Sequence, residues 1–179
     1  MCDEYLMQFD PLRDSSGSIN ESEEDYIQRM RPLLPEWPDE VLIEWLYRHN
    51  TGCDRYAHLG FENFRFRNEE WEADDIPGKE AFWDPKFCDN FKDVERRSEI
   101  TFPEDWLARY MIENGTWNTP PVILENVDGS IAFSETEMMK SPYHLLEGHR
   151  RLSFLNGLKE IGKALENHAV WVVTLVSKA

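Results

Sequence analysis

An α+β fold follows from three patterns in the chain. Tyr143–Leu146 has the composition of a short buried strand; Glu147-Gly148 breaks it, and His149-Arg150-Arg151 opens a helix whose apolar stripe is Leu152, Leu155 and Leu158. Near the C-terminal end, Val170–Val176 is a nearly unbroken run suited to a strand buried on both faces. Ahead of both, residues 22–33 and 37–46 carry apolar positions at helical spacing, which predicts an N-terminal helical hairpin. The organisation expected is an arm and hairpin over residues 1–60, then a domain over 61–179 with a charged insert at about 68–99.

Taken in order, residues 1–21 mix Asp, Ser, Gly and Asn and read as a loose or partner-draped arm. Ser22-Glu-Glu-Asp25 is a capping box that starts a helix through Tyr26, Ile27, Met30 and Leu33, ended by Pro32 and Pro35. Trp37-Pro-Asp-Glu40 opens the second helix, with Val41, Leu42, Trp45 and Leu46 on its apolar face and Asn50-Thr-Gly52 as its stop. Phe61–Arg67 alternates aromatic with polar residues, a strand pattern that puts Arg65 and Arg67 on one face. Residues 68–99 read as loops with a short helix. Thr101–Asp105 caps a helix carrying Trp106, Leu107, Tyr110 and Met111, which ends at Asn114-Gly115. Val122–Leu124 is a buried strand, and Asp128-Gly129 predicts a hairpin returning through Ile131–Phe133. Residues 134–141 form a surface excursion in which Met138 and Met139 either touch a ligand or fill the core. Gly157 falls where the helix begun at His149 would need a left-handed C-terminal residue, with a further short helix over 158–166.

The chain has 179 residues, enough for a real core, with seven Trp and ten Phe. Three cysteines, odd in number and widely spaced, fit a reducing cytoplasm and neither a disulfide scaffold nor a zinc site. No metal cluster is expected; the His49…His58 spacing is too weak to define one. The N-terminus lacks a basic region followed by an apolar core, and the longest apolar run is far too short to cross a bilayer. The net charge is −16, unevenly spread: residues 1–140 hold 32 acids and 14 bases, whereas residues 141–179 hold 3 acids and 5 bases. Such a balance repels DNA and anionic membranes and favours a basic protein partner, although plain solubility also accounts for an acidic surface.

The turn at Gly148 carries the chemistry. A strand that turns on glycine into a helix exposes first-turn N–H groups at the positive pole of the helix dipole, and guanidinium groups in the same turn suit phosphate oxygens. The same residues also suit a capped helix with two solvated arginines. Glu147-Gly-His-Arg-Arg-Leu152 resembles the signature turn of the ParB/sulfiredoxin-like superfamily, where a strand ending in an acidic-Gly-His-x-Arg sequence holds nucleotide phosphates. The flanks are similar too: the helix, Glu113-Asn-Gly115 and Pro-led strand of residues 106–124, and the closing strand at 170–176. The resemblance covers about residues 100–176 and implies a small mixed β-sheet with packed helices.

It also implies roles. Gly148 would permit close backbone approach to a nucleotide, ATP or CTP with Mg²⁺; His149 and Arg150 would offer N–H groups; Arg150 and Arg151 would neutralise charge. Glu147 would hold Mg²⁺ or act as a base, and His149 would donate to phosphate or move a proton. Departures from the family limit this. Gly148 stands where sulfiredoxins carry their reactive cysteine, and ParB proteins continue into a second phosphate motif and a helix-turn-helix that the sequence to Ala179 does not include. The closest local match is the turn of the superfamily's free-serine kinases, which need a further glutamate; Glu62, Glu104 and Glu113 are the candidates. Two readings result. One is a nucleotide-binding protein, a phosphotransferase or nucleotide hydrolase. The other is a non-catalytic acidic protein of antitoxin or immunity type that blocks a basic toxin or nucleic-acid enzyme.

Overall fold

A computed structural model describes residues 2–99 and 106–176. The fold is α+β, and the chain divides into two compact units, residues 1–66 with 174–179 and residues 67–173.

The first unit begins with α1 (Cys2–Met7) and α2 (Glu23–Met30). Ser22 caps α2 as its sequence predicts: its hydroxyl accepts the Asp25 N–H at 3.1 Å and donates to the Asp25 carboxylate at 2.7 Å. The arm before it is not loose. Arg29 donates to the carbonyls of Gln8 and Asp10 and to the Glu21 carboxylate, and the buried Tyr26 hydroxyl donates to the Phe9 carbonyl at 2.6 Å. An anchor of half-buried Arg29 and buried Tyr26 thus overrides the weak local propensity of residues 8–21.

The second helix of the expected hairpin is short and irregular. α3 (Asp39–Val41) runs directly into a π-helical turn over Leu42–Tyr47, where Arg48 N–H reaches back five residues to the Ile43 carbonyl. Asn50-Thr-Gly52 does not stop the chain; it continues as a 3₁₀ segment over Asn50–Leu59 and a second 3₁₀ turn over Phe61–Asn63. What these irregular turns achieve is an aromatic core. Trp37 stacks on Phe64 (5.6 Å, 13°) and Trp45 packs edge-on to Tyr56, while the Trp37 indole N–H donates to the Phe61 carbonyl at 2.9 Å.

The second unit is built on a four-stranded mixed sheet. β1 (Phe64–Glu72) starts three residues later than its alternation predicts and runs on into the segment expected to be loop; the division between the units falls within it. Beyond it the insert is helical: a 3₁₀ turn at Lys79–Ala81, α4 (Pro85–Phe91) capped by Asp84, and α5 (Val94–Ser98) capped by Asp93. α6 (Trp106–Asn114) buries Leu107, Ala108 and Met111 and ends at Gly115, whose φ of 70° is left-handed. The expected cap at 101–105 lies outside the described residues. β2 (Val122–Glu125), β3 (Tyr143–Glu147), α7 (His149–Glu160) and β4 (Asn167–Leu175) complete the order.

Strand order is β1-β4-β2-β3, with β2 parallel to β4 (Ile123 opposite Val172) and antiparallel to β3 (Ile123 opposite Leu145). The predicted hairpin therefore closes differently. Ile131–Phe133 does not return along β2; Ala132 bridges Met138 in a small excursion of its own, and β3 takes the place beside β2. The buried Asn126 amide organises this, donating to the carbonyls of Met139 and Lys140 and accepting the Ile131 N–H. α7 packs against α4 and α6. It passes straight through Gly157, and no separate helix follows: Gly162, not Gly157, is the left-handed residue (φ 69°). Gly157 is required for another reason, since any side chain there would collide with the Lys92 carbonyl oxygen at the end of α4.

Candidate functional site

The strand–glycine–helix turn forms where expected. Gly148 caps α7 at φ 97°, a conformation open chiefly to glycine, and no side chain caps the helix end. Its side-chain position is closed by a neighbouring proline. A Cβ placed on Gly148 would lie 2.6 Å from the Pro121 Cβ and 2.9 Å from its Cα, so the glycine admits a proline ring of its own chain. Pro121 is itself held from the other side, its carbonyl accepting the Trp171 N–H of β4 at 3.0 Å.

Arg151 is turned inward and is 5 % exposed. One guanidinium nitrogen donates to the carbonyls of Thr119 (2.8 Å) and Pro120 (3.3 Å); the other pairs with the Glu147 carboxylate. The two charges expected to meet phosphate and Mg²⁺ thus meet each other. Their joint effect is a clamp that ties the Thr119–Pro121 segment to the start of α7. Arg151, expected to neutralise phosphate charge, and Glu147, expected to hold Mg²⁺ or act as a base, are paired instead within the chain: burial demands a counter-charge, and the nearest one is four residues away in sequence.

Arg150 and His149 sit differently. The Arg150 guanidinium lies over the Phe154 ring at 5.6 Å from its centroid. His149 meets the edges of Phe82 and Phe87, with ring centroids 5.7 and 5.6 Å away at steep angles. Its ring is therefore set among insert aromatics, a role no spacing argument anticipates because Phe82 and Phe87 stand more than sixty positions earlier. Of the further glutamates considered, Glu62 accepts the Tyr5 hydroxyl at 2.8 Å in the first unit, Glu113 is exposed on α6, and Glu104 lies outside the described residues.

A second histidine lies on the strand that leads into this turn. His144, on β3, is 1 % exposed, and its Nδ1 accepts the Lys140 N–H at 3.1 Å, which places the proton of the neutral ring on Nε2. Burial, reinforced by the nearby His149 and Lys140, pushes its pKa down to about 4, so the ring is neutral at physiological pH. Among the described residues no group of three His, Cys, Asp or Glu is placed to hold a metal ion, and no helix is long and apolar enough to cross a membrane. No protein-family model matches the chain, and neither a curated protein nor a solved structure matches it.

Proposed function

We propose that the chain is a non-catalytic acidic binding protein that docks on a basic protein, in the manner of an antitoxin or immunity protein. The observation that carries this is the surplus of exposed carboxylates. Arg29, Arg31, Arg48, Arg67, Lys92, Arg151 and Lys163 all pair with carboxylates of the same chain, and the net charge is still −16. On β1, an edge strand of the sheet, and the turn after it, Glu70, Glu72, Asp74 and Asp75 are exposed in close succession. A surface of this kind speeds encounter with a positive partner and rejects nucleic acid.

The test is affinity capture on the immobilised chain at low and high ionic strength, beside a variant with Glu70, Glu72 and Asp74 changed to Lys. A partner with a basic surface, released by salt and lost with the reversed charges, is the expected outcome. Capture that survives the charge reversal refutes the reading.

The nucleotide reading keeps one specific support, the uncapped start of α7 behind a left-handed Gly148. ATP or CTP with Mg²⁺ is its ligand, and a thermal-shift panel decides it: a rise in melting temperature that Arg150→Ala removes would restore it over the acidic binder. Arg150 is the position to change there, because loss of Arg151 would disturb the fold itself.

A further inference from the structure

The second unit contains a cavity that neither reading of the Gly148 turn uses. It has a volume of about 490 Å³ and is lined by Trp83, Asp84, Phe133, Glu137, Met138, Lys140 and His144. Three separate parts of the sequence build it: the residues preceding α4, the excursion organised by Asn126, and the edge strand β3. The size suits one small molecule, since ligand sites run from roughly 300 to 1,000 Å³.

The lining is chemically mixed in a particular way. Trp83 and Met138 are large apolar side chains left 39 % and 54 % exposed, and Phe133 packs against the His144 ring at 5.8 Å. Two aromatic rings and a thioether offer faces to a flat apolar group and, through the ring quadrupole, to a cation. Three lining groups are charged. Asp84 has one carboxylate oxygen engaged by the Lys86 N–H at 3.0 Å, and neither Glu137 nor Lys140 forms an ion pair among the described residues. With His144 neutral, two carboxylates oppose one ammonium group. The local balance is negative, inside a molecule of net charge −16. Field and lining therefore select against a simple anion and for a positive ligand.

We propose that this cavity binds a small aromatic amine, its ammonium group facing Asp84 and Glu137 and its ring against Trp83, Phe133 and Met138. Lys140 then acts as the discriminating charge: it repels the ammonium and so orients the ligand with its positive end toward the carboxylates. The site is independent of any protein partner, because an acidic docking surface needs no cavity.

Isothermal titration calorimetry of the full chain at neutral pH tests this with two probes that share a ring and differ in charge, tryptamine and indole-3-acetate. Tryptamine binds with one-to-one stoichiometry and indole-3-acetate more weakly or not at all. Glu137→Gln, at an exposed position where the fold tolerates it, weakens tryptamine about tenfold; Trp83→Ala also weakens it, and Lys140→Gln tightens it. Absence of tryptamine binding overturns the proposal. So does indole-3-acetate binding as well or better, an unchanged tryptamine affinity in Glu137→Gln, or a loss of affinity in Lys140→Gln. Because no protein partner enters the titration, its failure leaves the basic-partner reading standing, and failure of the capture experiment leaves this one standing.

Discussion

Arg151 sits in the first turn of α7 with one guanidinium nitrogen directed at Glu147 and another at two carbonyls of the Thr119–Pro121 segment. Removing one member of a buried ion pair leaves the other charge uncompensated, at a cost of about 3–5 kcal/mol. Arg151→Ala is expected to lose stability on that scale in urea unfolding, and Glu147→Ala a comparable amount. The double variant should lose clearly less than the sum, because the second deletion removes a charge the first has already stranded. Additive losses would show that the pair is not coupled. The residue types at this turn were legible from sequence: a glycine hinge, a carboxylate and two arginines in a row. Which arginine turns inward was not. That depends on carbonyls some thirty positions upstream, and on a proline that fills the space beside Gly148. A local pattern reports which groups are present and cannot report what faces them.

The elements show the same division. The cap of α2, the strand-to-helix turn and the closing strand β4 were all readable, because each is decided by residues within a few positions of one another. The π and 3₁₀ turns over 42–63 were not, since they exist to bring Trp37, Trp45, Phe61 and Phe64 together. Gly157 is the sharpest instance. Its position near a helix end suggests a left-handed terminator, yet it is helical, and it is glycine because α4 closes against it. Gly157→Ala should therefore force α4 away from α7, with overpacking costing about 1–3 kcal/mol. Gly162→Asn, at a left-handed position with open space around it, should cost only a few tenths of a kcal/mol, because Asn tolerates that conformation. Chemical denaturation compares the two, and limited proteolysis within residues 79–98 locates the loosening. Equal losses would return Gly157 to a purely conformational role.

Across the whole molecule, 35 acidic residues face 19 basic ones. Salt acts on this imbalance in two opposing ways. It screens the ion pairs, of which the exposed ones contribute about 0–1 kcal/mol each, and it screens repulsion among the surplus carboxylates. The pairs are largely exposed and individually weak, whereas sixteen negative charges lack a counterpart within the chain. Relief of repulsion should win. The melting temperature is therefore expected to rise with sodium chloride and to level off as the screening length falls to about 3 Å near 1 M. A steady fall in thermal unfolding experiments would mean that the ion-pair network outweighs the surplus. The same argument bears on the partner. A basic protein supplies counter-charge at one face as salt does over the whole surface, so its stabilisation of this chain should be largest at low ionic strength and shrink as salt is added. A partner whose stabilising effect ignored salt would be held by something other than charge, and the carboxylate surplus would then be serving solubility alone.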